Sequence, residues 1–230
     1  MEKIDGYKVL EKTALKNPKG FLNHKHLCLM ALEMGCPEAK VIPANKVVVE
    51  DRVRLKCMVG CPYYNQGLKC PPYTQGIDEF RKMLKDYSFA MVIKLKPQEI
   101  SDEVMAKYKL GNDEKEHVRL RDQYDDVDKT SSRVWADFSG PYKNSLMDLL
   151  ELERAAFNLG YTFATVFFAG RCMLCEKCNV ENGICKNPMI ARFSAEAMGI
   201  NLLKTAENAG MELKFSQDSS PTPMAILLID

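Results

Sequence analysis

No apolar run in this sequence comes close to spanning a bilayer; stretches such as 163–169 fall far short of the roughly 20 residues a spanning helix needs. The first dozen residues are charged throughout and hold no apolar core of a secretory signal, so export is not expected. Net charge is nearly absent. Lys and Arg number 32 against 31 Asp and Glu, a formal +1, which removes broad electrostatic attraction to nucleic acid or to an anionic membrane. Also missing are a glycine-rich dinucleotide fingerprint, a Walker loop and a Ser/His/Asp order, so the usual motifs offer no general acid, base or nucleophile. No repeat or low-complexity stretch breaks the chain. With 46% hydrophobic and 27% charged residues, its 230 residues are expected to form a single globular domain over 1–230.

What the sequence has in excess is cysteine. Nine are present, and seven of them fall in two tight groups. In a reducing cytoplasm such thiols serve as metal ligands rather than disulfides. His24, His26 and Cys28 add a weak signal, since His24 and Cys28 share a helix face at i, i+4. Histidines on an exposed helix face, and buried structural thiols at Cys28 and Cys36, are the better account of these residues.

Hydrophobic periodicity alternates helices with strands. Helices are expected over 24–34, stopped by Gly35, and over 77–87 with Phe80, Met83 and Leu84 on one face. Another is expected over 145–159, with Ser145 and Asp148 as a capping box and Gly160 as the stop, and two more over 189–198 and 201–209. Strands are expected at 41–42 and 47–49 around Pro43, and at 89–95, 161–169, 211–215 and 224–229. The apolar runs at 89–95 and 161–169 suit strands covered on both faces. The expected fold class is α/β, with α+β as the alternative: a layered helix-and-sheet domain with a mixed sheet, antiparallel toward the C-terminus, and two cysteine-rich metal-binding loops. Residues 97–142 read as a charged helical excursion, because ten of the seventeen residues at 112–128 are charged, seven of them acidic. Trp135 and Phe138 would dock this excursion on the body.

Cys172, Cys175, Cys178 and Cys185 are spaced C-x2-C-x2-C-x6-C. Thiolates at three-residue steps let one short loop curl around a face of a cubane, and a fourth arrives from just beyond. The run resembles the bacterial ferredoxin spacing C-x2-C-x2-C-x3-C-P but departs from it in the longer last gap and the displaced proline. A tetrahedral zinc ion more often takes two separated C-x2-C pairs, and the middle cysteine of a triplet is short of room around it. The expected cofactor on these four cysteines is therefore an iron–sulfur cluster, [4Fe–4S] in type, with zinc as the alternative. Stapling the loop is the plainer role for such a centre. Asn187 and Pro188 would open a helix whose N-terminal amides face Cys185 and favour negative charge there. Gly170 and Gly183 either let the backbone approach the sulfurs or simply turn it.

Cys57, Cys61 and Cys70, spaced C-x3-C-x8-C, fall in the Gly- and Pro-rich stretch 57–72, read as a loop. The radical enzymes that cleave S-adenosylmethionine use C-x3-C-x2-C, of which only the first half is shared, so that reading is rejected. Three thiolates leave one coordination position for Cys36, Cys28, a substrate or water. A second iron–sulfur cluster or another metal is expected here, more exposed or more labile than the first.

The runs Arg52-Val-Arg-Leu-Lys-Cys57, Cys61-Pro62 and Cys70-Pro-Pro-Tyr-Thr74 resemble the N-terminal signature of a domain-of-unknown-function family labelled "predicted metal-binding protein", found mostly in anaerobic archaea and bacteria. Gly170-Arg-Cys172-Met-Leu-Cys175-Glu-Lys-Cys178, Cys185-Lys-Asn-Pro188 and Arg192-Phe-Ser194-Ala-Glu196-Ala-Met-Gly199-Ile200 are similar to its C-terminal signature. The resemblance runs from about residue 31 to the end of the sequence. It implies a metal-binding, iron–sulfur protein and supplies no reaction. Within the matched signature Arg192 stands to balance cluster charge and Ser194 to donate to a sulfur or bound ligand; helix capping and surface pairing are the plain alternative.

The expected function is that of a cytoplasmic iron–sulfur protein passing single electrons to or from a partner enzyme in anaerobic metabolism, with neither nucleic acid nor membrane as partner. Two alternatives stand beside it. One is a metalloenzyme using an open metal position at Cys57, Cys61 and Cys70; the other is a zinc-stapled interaction protein. No residue is assigned a catalytic role.

Overall fold

The computed structural model describes residues 18–96, 127–212 and 223–230. The expected strand at 211–215 and the expected excursion at 97–142 fall largely outside them. Helix α1 (Pro18–Glu33) leads into β1 (Glu38–Pro43); α2 (Asp51–Gly60) and α3 (Ile77–Met83) follow, then β2 (Phe89–Lys94). Helix α4 (Val127–Asn158), β3 (Thr165–Phe168), α5 (Leu202–Asn208) and β4 (Met224–Ile229) complete the set.

The four strands form one sheet in the order β1-β2-β4-β3, and every pairing is antiparallel. The fold is thus α+β, and the sheet is not the mixed one expected. Alternating helices and strands suggested crossovers throughout, but two of the three connections begin and end at the same end of the sheet: Pro43 pairs with Phe89, and Phe168 with Ala225. Antiparallel return needs no crossover. β2 and β3, both antiparallel to β4, run parallel to each other, and the connection between them is the one crossover. Met91, Ile93, Val166, Leu227 and Ile229 point to one face, where Leu27 and Ala31 of α1 and Leu146, Leu149 and Leu152 of α4 cover them. Val92, Phe167, Ile226 and Leu228 point to the other, under Phe80, Met198, Ile200 and Ala206. All six residues of β4 are buried, because it has strand neighbours on both sides and a covered surface above and below. The expected double coverage holds for β2 as well.

Helix α4 runs 32 residues and passes through Pro141, so Ser145 is a buried interior residue and not the expected N-cap. Ser145 and Asp148 fit a capping box by spacing alone, although a proline has no N–H for the preceding turn and the helix still continues through it. The apolar stripe Trp135, Phe138, Tyr142, Leu146, Leu149 continues across it at helical spacing, with Tyr142, Leu146 and Leu149 in the buried core. The expected helix at 189–198 also does not form, beyond a tight turn at Glu196–Met198. Its backbone is used along the sheet edge instead: Phe168 N–H donates to the Phe193 carbonyl at 3.3 Å, and Ala195 N–H to Phe168 at 3.0 Å. On the same edge strand Glu153 accepts the Val166 N–H at 2.8 Å and Arg192 Nε at 3.0 Å, closing backbone that would otherwise be open. Of the strand expected at 47–49, only a single bridge between Val49 and Ile200 is present. Met83 is exposed, although Phe80 on the same helix is buried.

His26 is exposed as expected, but His24 is not. It is buried against Phe89, ring centroids 4.3 Å apart, with the Tyr161 hydroxyl 3.3 Å from Nε2. Desolvation pulls its pKa down from 6.5 to about 4. Cys28 and Cys36 are buried in the α1/α4 core, Cys28 Sγ lying 4.0 Å from Met91 Sδ. Among the described residues, no helix is long and apolar enough to cross a membrane.

Candidate metal centre

At the end of β3 the chain turns sharply through Gly170, φ +82°, a backbone region that L side chains rarely adopt. An added Cβ there would meet nothing, so this glycine serves the turn and not a close approach to sulfur. The turn delivers Cys172, Cys175 and Cys178 in quick succession. The other group is built differently from the expected loop: Cys57 lies inside α2 and Cys61 is its C-cap, so only Cys70 belongs to the following irregular stretch. Cys57 and Cys61 are placed four residues apart, on one side of the helix end.

The two segments cross. Leu68 N–H donates to Cys178 Sγ at 3.5 Å, and the Cys172 N–H donates to Cys70 Sγ. Asn187 Nδ2 donates to Cys175 Sγ at 3.1 Å, and the Tyr142 hydroxyl, brought from α4, donates to Cys172. About two turns of α4 earlier, Trp135 Nε1 donates to the Met173 carbonyl at 3.1 Å, pinning the loop between Cys172 and Cys175. A cavity of about 540 Å³ opens among these groups, lined by Cys172, Cys175, Cys178, Cys185 and also Cys70. All nine cysteines are free thiols.

Burial dominates the electrostatics of the thiols. It pushes Cys70 up to about 12, with nearby Cys61 adding to it, and raises Cys172 despite the hydrogen bonds it accepts. Cys57 is raised by burial first, then by Cys61 and Glu196. Glu196 is itself raised by burial while its carboxylate accepts the Gly170 N–H at 3.0 Å. These thiols are protonated at neutral pH without metal, so metal binding must release protons. The cavity wall compensates negative charge: Lys69, Arg171, Lys177 and Lys186 face it, against Glu176 and Glu181. The Arg171 guanidinium lies 3.8 Å over the Tyr63 ring, and its buried Nη2 has no hydrogen-bond partner among the described residues.

Both cysteine groups fall inside the one region that matches a known family: a family model described as Predicted metal-binding protein (DUF2284) covers residues 40–229. The chain belongs to that family. No curated protein and no solved structure matches it.

What the family label leaves open is the kind of metal, and the residues can be tested against it. Among the described residues, no three His, Cys, Asp or Glu side chains converge at the spacing of a single bound ion. One zinc ion with bonds of about 2.3 Å would draw its sulfurs to within about 4 Å of one another, whereas a cluster gives each thiolate its own iron and so spreads them. Thiols around a cavity, donors aimed at sulfur and an orphaned guanidinium nitrogen on the wall fit an anionic cluster of that kind.

Several expected roles move to other residues. Arg192 pairs with Glu153 and donates to the Met189 and Ala191 carbonyls, and Ser194 Oγ accepts the Ala197 N–H at 3.0 Å, so both are structural. Arg171, not Arg192, is the guanidinium at the cavity. Asn187 and Pro188 open a single turn, not a helix, closed by Ala191 N–H to Asn187 at 2.9 Å. Asn187 reaches the site through its side chain instead. Cys28 and Cys36 pack in the α1/α4 core, while Glu196 is the acidic group beside Cys57. Tyr142 and Trp135 were not singled out as site residues by local pattern, and a stripe continuing past Pro141 was the available signal for them; Glu196 stood in the matched signature beside Arg192 and Ser194.

Proposed function

We propose that this protein is an iron–sulfur electron carrier for a partner enzyme, holding a [4Fe–4S] cluster on Cys172, Cys175, Cys178 and Cys185. One observation carries the reading: these four thiols line a single cavity of about 540 Å³ instead of converging on a point. When bound, such a cluster supplies one-electron transfer. The chain's part is to hold charge and keep water out. Asn187 and the Leu68 amide donate to thiolate sulfur, which favours the more negative state. Arg171 and the lysines of the wall offset the cluster's charge, and Tyr142 and Trp135 close the α4 side. Nine unpaired thiols suit a reducing compartment, the cytoplasm. The partner of this reading is a redox enzyme.

Anaerobic isolation tests it. The protein should be brown, bleach on reduction and contain about four iron and four acid-labile sulfide per chain. A colourless protein with stoichiometric zinc and no sulfide overturns the reading. Iron clearly above that level would instead add a second centre at Cys57, Cys61 and Cys70, whose thiols neighbour one another. The guanidinium gives a further expected outcome. Arg171→Leu should lower the reduction potential by roughly 60 mV or more, a tenfold change for one electron, because the lost cation favoured the reduced state. Potentiometric titration of the purified holoprotein measures this, and an unchanged potential would show that Arg171 does not face the cluster.

A further inference from the structure

Five thiols line the cavity, and a cubane has four corners for them. The extra one is Cys70, and its place is set by the crossing of the two segments. Leu68 N–H holds Cys178 Sγ, and two residues on, Cys70 Sγ accepts the N–H of Cys172. Around the cavity, Asn187 donates to Cys175 and the Leu68 amide to Cys178. Cys185 differs from Cys70 in its setting. It arrives on the stretch 181–189, most of which is exposed, with Ile184 at 66% and Met189 at 83%, whereas Cys70 is followed by the buried Pro71. The three corners taken by Cys172, Cys175 and Cys178 are dictated by one short loop. Only the fourth is filled from a separate segment, and both Cys70 and Cys185 lie near Cys172.

We infer that Cys70 is an exchange ligand for that fourth corner, replacing Cys185 whenever its thiolate leaves; the inference rests on the iron–sulfur reading above. In the exchange one iron–sulfur bond breaks and one forms. The departing Cys185 thiolate takes up a proton and the Cys70 thiol gives one up, so neither electrons nor net charge change. The outermost thiol of the site can then be lost to solvent, to an oxidant or to a docking protein without loss of the cluster.

Anaerobically prepared variants test this. Cys185→Ser should keep at least about half of the wild-type iron and sulfide, Cys70→Ser about all of it, and the double variant less than about a tenth. A Cys185→Ser protein without a cluster, beside a wild type that has one, overturns the exchange and leaves the iron–sulfur reading standing. So does a double variant that keeps its cluster, or loss of the cluster from Cys70→Ser alone. A wild type with no cluster overturns the reading itself. If Cys185→Ser does not fold, slow anaerobic alkylation of the wild-type holoprotein decides the matter. Counting positions 70 and 185 alone, mass spectrometry should find one label per cluster-bearing chain, divided between Cys70 and Cys185; label on Cys70 alone overturns the exchange.

Discussion

Cys175→Ser should remove about nine-tenths or more of the iron and acid-labile sulfide, while Cys28→Ser leaves both at the wild-type level. Cys175 is the middle thiol of the triplet, so neither flanking cysteine can move into its place without leaving its own corner. Its sulfur is also the one that Asn187 Nδ2 reaches at 3.1 Å, and a serine oxygen is both shorter in reach and a harder ligand for iron. Cys70 does not rescue it, because the corner in question is shaped by the loop from Cys172 to Cys178. Cys28 sits in the α1/α4 core beside Met91, and its serine variant places a hydroxyl among apolar groups. That costs about 1–3 kcal/mol of stability without touching the cavity. Iron and sulfide analysis of the two purified variants, prepared side by side, measures the contrast. Equal losses from both would mean that the ligands have been misassigned.

Acidification should weaken the fold through His24. Its native pKa is lowered from 6.5 to about 4, and the cause is burial among Phe89 and Tyr161. The unfolded chain takes up a proton as pH falls through about 6.5, while the native ring stays neutral until about 4. Between those values the unfolded state binds more protons, so stability drops as pH drops. The loss levels off below the native value, at about 3 kcal/mol. His24→Phe fills the same space with a ring that does not titrate. Urea unfolding of both proteins from pH 7.5 to 4.5 isolates the effect, because acid sensitivity of the metal site enters both curves alike. The stability of the variant relative to wild type should rise steadily as pH falls through this window. A constant difference would mean that His24 is solvated in solution.

Strands 89–94 and 224–229 were legible because an uninterrupted apolar run of that length has few other homes. Their pairing was not. β2 and β4 meet across more than a hundred residues, and nothing local distinguishes an antiparallel return from a crossover. The four cysteines of the second group were legible as a set from spacing alone, since their spacing is itself the chemical signal. The side chains that attend them come from elsewhere. Tyr142 and Trp135 come from the part of α4 that precedes the expected start at Ser145, and Cys70 was grouped with Cys57 and Cys61 by nearness in sequence, although it lines the same cavity as Cys172. Local rules also misplaced the charges. Arg192 is drawn away by Glu153 on α4, a partner no motif could indicate, while Arg171 is held at the cavity by stacking on Tyr63. Asn187 shows the same competition on a smaller scale: its side chain could cap a helix or bond a sulfur, and the sulfur takes it.

The strand order has a bearing on how the chain leaves the ribosome. β4 is synthesised after the other three strands, yet it is the strand that joins β2 to β3. Until it emerges, β3 has no partner in the sheet, and the segment carrying Cys172, Cys175 and Cys178 hangs from an unanchored strand. Distant pairings of this kind form slowly and late. Synthesis of the thiols therefore runs ahead of the scaffold that positions them, and for that interval a nascent chain carries its nine reactive thiols without the folded shelter around them. A factor that delivers the metal would meet a competent site only once translation has passed the last strand.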